Sequence, residues 1–179
     1  MRERHGRWPV VAAGALGPAS ALAVQQPAAR PLAALLWHET EEWVWPGGFL
    51  PWMNREVIGS EDDEFPLDRR AGFMINVVFG WGFSALTVAG PSAAAPLALL
   101  YTSHLGNVVL HVGWAIRHRR YDPGVVTAIL TLGPTGVIGL CSLGRDPAVS
   151  RRALRSGVVG GIAMSVALIS GLKRRQRWS

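Results

Sequence analysis

His38, Glu39, Glu41 and Glu42 are four titratable side chains at the end of an apolar run, Leu35 to Trp45, which Pro46-Gly47-Gly48 closes. On a helix His38, Glu41 and Glu42 stand at i, i+3 and i+4 and share a face, while Glu39 points elsewhere. A second polar set follows the same logic, because His104, Asn107 and His111 at i, i+3 and i+7 form one stripe. Two imidazoles and two carboxylates, His38, His111, Glu41 and Glu42, make a first shell suited to zinc, iron or manganese, and helix bundles hold histidine–carboxylate sites of this kind. The metal-free version of the same chemistry uses Glu41 or Glu42 as a general acid with a histidine partner. The spacing does not match HExxH, so no zinc-protease signature is present. A purely structural role has His38 and His111 bond Glu41 and Glu42 and tie two helices together; another leaves Glu39 and Glu42, Glu39 above all, wet and idle at an interface.

The elements that must position such groups are apolar. The chain has 179 residues, 49% of them hydrophobic and 17% charged, and the charges are clumped between long uncharged stretches. That pattern is a polytopic membrane protein of one domain. A net charge of +6 and a pI near 10.9 invite a nucleic-acid reading. The arginines, however, sit at the edges of apolar segments, where basic residues orient membrane helices, and this speaks against nucleic acid. Cys141 alone rules out an internal disulfide and reads as a small buried hydrophobe.

Taken in order, residues 1–7 are basic and residues 8–24 form a first membrane helix or, with Ala21-Leu22-Ala23 as a cleavage-like end, a removed leader. Further spans are expected at 28–45, 71–90, 96–116, 125–143 and 156–172. Pro31 fits the first turn of the second. A solvated loop at 46–70 carries the acidic run 61–64, and a turn is expected at 91–95. Gly133, Pro134 and Gly136 are expected to bend the fifth span. Gly157 and Gly161 form a GxxxG, a weak sign of a homo-oligomer. With both termini cytoplasmic, thirteen of the eighteen Lys and Arg residues fall inside and five outside, which favours six spans.

That topology gives the two polar sets one depth. His38, Glu41 and Glu42 then lie roughly 6–12 Å inside the cytoplasmic end of their span. Asn107 and His111 on the fourth span, Asn76 on the third and Thr127 on the fifth reach a similar level. Charged groups in a bilayer are costly, so such residues face a bundle interior and find partners. Trp8, Trp43, Trp45, Trp52, Trp114 and Trp178 fall near span ends, as an interfacial belt would, and Trp37 and Trp81 lie deeper.

Three separated stretches resemble the bacterial HXXEE-motif membrane proteins. They are His38-Glu39-Thr40-Glu41-Glu42 with Trp45-Pro46-Gly47-Gly48-Phe49, then Asn107-Val108-Val109-Leu110-His111, then Arg120-Tyr121-Asp122-Pro123-Gly124-Val125-Val126-Thr127. The resemblance covers about residues 30–140. It implies an integral membrane protein with a shared polar site and names no reaction. It carries over His38, Glu41, Glu42, Asn107, His111, Tyr121, Pro123, Gly124 and Thr127 as motif positions, of which Pro123 and Gly124 shape a turn.

The resulting expectation is an all-α transmembrane bundle of about six spans in the cell membrane, its polar pocket opening toward the cytoplasm. Its function would be a metal-assisted or acid/base enzyme acting on a lipid-like or isoprenoid-like substrate. Glu41, Glu42 and Tyr121 are the catalytic candidates, and His38, Glu41, Glu42 and His111 the metal ligands. Asn76, Asn107 and Thr127 are the substrate-binding candidates. A small transporter or proton-coupled carrier, with His38 and Glu41 relaying protons, is the alternative; it needs a polar path to the outer face, which only Ser103 and His104 continue. A membrane scaffold with structural polar residues is the third.

Overall fold

The computed structural model describes residues 7–89 and 94–178, and the described residues are helical, with no strand. The basic head at 1–6 and most of the turn expected at 91–95 lie outside the described residues. α1 (Trp8–Gln25) opens on a proline in its first turn, and α2 (Arg30–Trp43) does the same with Pro31, where the missing N–H has no helical partner to lose. α3 (Phe49–Trp52) continues into a π-helical stretch, Met53–Ile58, which Gly59 ends at φ 84°. A rod comes next, made of α4 (Arg69–Phe73), the π-helical Met74–Trp81 and α5 (Gly82–Ala89). Asp68 caps its start by accepting from the Ala71 N–H at 2.7 Å. α6 (Ala94–His118) is the central helix. After it come α7 (Val125–Thr127), the π-helical Ala128–Leu132, α8 (Gly133–Arg145) and α9 (Arg151–Arg177), which Ser150 caps through the Ala153 N–H at 3.1 Å.

Small residues let these helices approach closely, and the contacts give their directions. A Cβ on Gly72 would lie 2.5 Å from Trp43, and one on Gly80 would lie 2.8 Å from Leu35, so the 69–89 rod runs antiparallel to α2. A Cβ on Gly139 would enter the Tyr101 ring at 2.3 Å, and one on Gly136 would meet Leu105 at 2.8 Å, which sets α8 antiparallel to α6. Gly157 abuts Ala95 and Ala98, and Gly161 abuts Thr102, which sets α9 parallel to α6. The GxxxG pair thus seats one helix of the chain on another. Gly133 and Gly136 serve packing of α8, and the departure from α-helical winding falls just before them, at Ala128–Leu132.

Among the described residues, four helical segments are long and apolar enough to cross a membrane: Trp8–Gln25, Arg69–Val88, Val125–Arg145 and Arg151–Arg177. The first turns of α9 absorb Arg151, Arg152 and Arg155, residues expected in a loop. α2 has 14 residues, about 21 Å of helix at 1.5 Å per residue. α6 has ample length at 25 residues, but His104, Asn107 and His111 make it more polar. The polarity of the bundle is inverted relative to a water-soluble core. Val78, Phe79, Leu86, Ile129, Leu130, Ile138, Val159 and Val166 face outward, while His38, Glu39, Glu42, His104, His111 and Asp122 are buried.

The segment expected to be a solvated loop at 46–70 is largely a packed cap. Phe49, Leu50, Trp52, Met53, Ile58 and Leu67 join Trp114 of α6 and Leu172 of α9 in one cluster. Asn54, fully buried, pins the returning chain: its amide donates to the carbonyls of Asp63 and Leu67, each at 2.8 Å, and accepts from the Leu67 N–H at 2.9 Å. The acidic run 61–64 is exposed as expected, with Asp63 paired to Arg55. Arg175 at the end of α9 donates to the Pro66 carbonyl at 2.8 Å and pairs with Asp68 at 3.3 Å, holding this cap to the bundle.

Other expectations for the tryptophans and the cysteine meet the structure here. Trp8, Trp52 and Trp114 are not an interfacial belt: they are buried, Trp8 against Trp43 with ring centroids 4.9 Å apart and Trp52 against Trp114 at 5.5 Å. Trp37 faces outward from α2, with its indole N–H donating to Ser20 of α1 at 3.3 Å. Cys141 is exposed, because the opposite, glycine-lined face of α8 is the one pressed to α6.

Candidate metal centre

The last turns of α2 meet α6 and the loop leading into α7, and three ligand atoms converge there. One oxygen of Glu42, Oε1, lies 3.2 Å from Nε2 of His38 and 3.2 Å from Nε2 of His111. The ligand atoms of all three residues fall within 4.8 Å of one another, and all three side chains are buried. Ligands placed ~2.1 Å from a tetrahedral ion are ~3.4 Å apart, close to the spacing found.

The outer ring nitrogens set the tautomer of each neutral imidazole. His111 Nδ1 lies 2.5 Å from Oδ1 of Asp122, whose side chain is fully buried. A carboxylate only accepts, so Nδ1 carries a proton, and in the neutral ring the lone pair of His111 Nε2 faces inward. Thr127 Oγ1 donates to Glu41 Oε2 at 2.5 Å, and it lies 3.1 Å from His38 Nδ1. Its hydrogen being committed, it accepts from His38 Nδ1–H, and in the neutral ring the Nε2 lone pair lies between Glu42 and the Asn107 amide. With both rings neutral, three acceptor atoms face one small space, close enough together to hold a metal ion. The arrangement of carboxylate or hydroxyl behind each imidazole is the one that orients histidine ligands in metal sites.

Glu41 stands beside the cluster rather than in it. Its Oε1 accepts from the Tyr121 hydroxyl at 2.9 Å and the Val126 N–H at 3.3 Å, and its Oε2 accepts from the Thr127 N–H at 2.7 Å as well as the Thr127 hydroxyl. Four donors occupy the carboxylate at the start of α7, where a negative charge is favoured by the helix end. Thr127 likewise links Glu41 to His38 and does not line an open rim. Tyr121 does sit at the rim, half exposed. Its phenol is pushed above its ordinary value by burial of the hydroxyl and by the bond it donates to Glu41.

Asn107 Nδ2 is 3.0 Å from His38 Nε2, at the edge of the cluster. Asn76 is not brought to it: its amide donates to the Gly72 carbonyl of its own helix at 3.1 Å. Glu39, expected to be wet, is fully buried on the other side of α2 and accepts from Trp81 Nε1 at 2.8 Å. His104 is buried too, and neither ring nitrogen has a partner among the described residues.

Three contributors were not assigned to the cluster from the sequence. Asp122 is the one acid in the basic run 117–122, which is a signal in hindsight. Trp52 stacks on His111, 5.0 Å between centroids and 14° between planes, and closes the cluster from the cap side. Gly124, at φ 116°, roofs it: a Cβ there would lie 2.8 Å from Cε1 of both His38 and His111. All-α architecture, apolar helices able to cross a membrane and a buried histidine–glutamate cluster define the class of protein. The chain belongs to the family described as proteins of unknown function with the HXXEE motif, which matches residues 31–138. No curated protein and no solved structure matches it.

Proposed function

We propose that this chain is a membrane-embedded enzyme built around one divalent ion held by His38 Nε2, His111 Nε2 and Glu42 Oε1. The observation that carries the reading is the convergence of these three buried ligand atoms, with Thr127 or Asp122 behind each imidazole. Two histidines and one carboxylate leave coordination positions open, as catalytic zinc and non-haem iron sites do. An ion there supplies Lewis acidity and a water that ionises near neutral pH. Glu41 and Thr127 hold His38 in register, Asp122 holds His111, and Trp52 and Gly124 exclude water from two sides. Asn107 is placed to orient a substrate group beside His38.

The substrate is lipid-like, since the helices around the cluster present apolar surface outward. The pocket opens at the end of the bundle where Arg117, Arg119, Arg120 and the tail of α9 gather, taken as the cytoplasmic side with both termini inside. The runner-up is metal-free acid/base chemistry on the same residues, favoured by the Asn107 amide at 3.0 Å from His38 Nε2, which occupies that lone pair.

The test of activity is a lipid turnover assay. Purified protein, supplied in turn with zinc, iron(II) and manganese in liposomes of extracted bacterial lipid, is followed by mass spectrometry beside Glu42→Gln. The expected result is a lipid species that changes mass with wild type and stays unchanged with the variant. A lipid profile identical in both would count against the enzyme.

A further inference from the structure

A cavity of about 300 Å³ opens between the cap and the loop after α6, on the outer side of the candidate centre. Trp52 and Trp114 form its apolar walls, and Trp52 is the ring that lies against His111. Tyr121, whose hydroxyl reaches Glu41 at 2.9 Å, forms another wall. The cavity and the centre thus share two side chains. Its charged lining is Arg55, Glu56, Asp63 and Arg120. Arg55 and Asp63 pair with each other. That leaves one acid, Glu56, and one base, Arg120, neither with an ion-pair partner among the described residues.

We infer that this cavity binds the zwitterionic head group of a phospholipid, its phosphate on Arg120 and its ammonium near Glu56 and the tryptophan walls. The charges left after Arg55 and Asp63 cancel are one of each sign, which complements a zwitterion and gives an anion no net attraction. A guanidinium takes a phosphate through paired N–H donors. Glu56 supplies the negative charge an ammonium needs, and the tryptophans, stacked on His111 and His118, supply apolar wall for its methyl or methylene groups. The volume is at the lower bound of ligand pockets, right for a head group whose tails lie against the apolar exterior. The inference deepens the proposed enzyme by naming its substrate class, and it rests on that reading only for the chemical step after binding.

The test uses the full-length protein in neutral maltoside micelles, titrated with dihexanoyl-phosphatidylcholine, dihexanoyl-phosphatidylglycerol and free phosphocholine, with binding read from tryptophan emission. Wild type is expected to bind the choline lipid about tenfold more tightly than the glycerol lipid and than the tailless head group. Glu56→Gln removes the preference for choline, weakening the choline lipid and tightening the anionic glycerol lipid, because Arg120 is then left without an opposing charge. Arg120→Gln weakens both lipids about tenfold, and Arg120→Lys restores most of the loss. Both sites are exposed, so thermal midpoints should stay at the wild-type value, which certifies the variants as folded.

Equal or tighter binding of the glycerol lipid overturns the inference, and so does an unchanged choline preference in Glu56→Gln. Phosphocholine binding as tightly as the lipid would assign the cavity to a soluble solute instead. Metal content of the same samples separates this from the enzyme reading. A metal-loaded protein without head-group preference sinks this inference alone, and a metal-free protein that keeps the preference sinks only the metal centre.

Discussion

Within the HXXEE motif, positions three and four residues after the histidine are about 100° apart around a helix. Glu42 therefore meets His38, while Glu41 turns to the neighbouring α7 and takes four donors there. The histidine and the last glutamate were legible in the sequence for that reason. The division of labour between the two glutamates was not, because it depends on a helix more than eighty residues away. Asp122 was missed for a similar reason: only the fold brings the loop after α6 back over His111. Its removal is informative, since Asp122→Asn keeps the volume and loses the fixed acceptor. Metal affinity is expected to fall about 10–100-fold, read by competition with a chromogenic chelator. Gly124→Ala is expected to cost stability and binding together. Its positive φ disfavours any side chain by ~1–3 kcal/mol, and the added methyl enters the space of both imidazoles. A lowered unfolding midpoint with no metal bound is the outcome to look for.

The sequence pattern located the helices well where apolar runs are long, and less well between Pro46 and Arg70. There the charges at 61–64 concealed a buried cap built from Phe49 to Ile58. The π-helical stretches Met53–Ile58, Met74–Trp81 and Ala128–Leu132 were illegible, because the same residues read as ordinary α-helix. Such stretches gather near functional sites in helical proteins, and here they border the cap, Glu39 and Thr127. Glycine contacts decide how close the helices come. Gly157→Leu would drive a side chain into the Ala95 carbonyl and Ala98. Overpacking of this kind costs ~1–3 kcal/mol, visible as a lower midpoint in mixed-micelle denaturation. Gly171→Ala meets nothing within 4 Å and should leave the midpoint unchanged.

For the whole molecule, an apolar exterior around a polar interior predicts a protein that stays in the membrane pellet after an alkaline carbonate wash and leaves it only with detergent. The clustering of basic residues at one end predicts that a C-terminal green fluorescent protein fusion fluoresces while a C-terminal alkaline phosphatase fusion is inactive. Arg175 ties the end of α9 to the cap beneath the histidines, so the same fusions report on which side the centre opens. The central claim is that His38, Glu42 and His111 hold an ion, and elemental analysis of the purified protein tests it most directly. Wild type, reconstituted with zinc, iron(II) or manganese and desalted, is expected to retain about one equivalent per chain of at least one of them. Glu42→Gln and His111→Ala are expected to retain about a tenth or less. Wild type that retains no ion after any of the three reconstitutions, or variants that retain as much as wild type, would contradict the account.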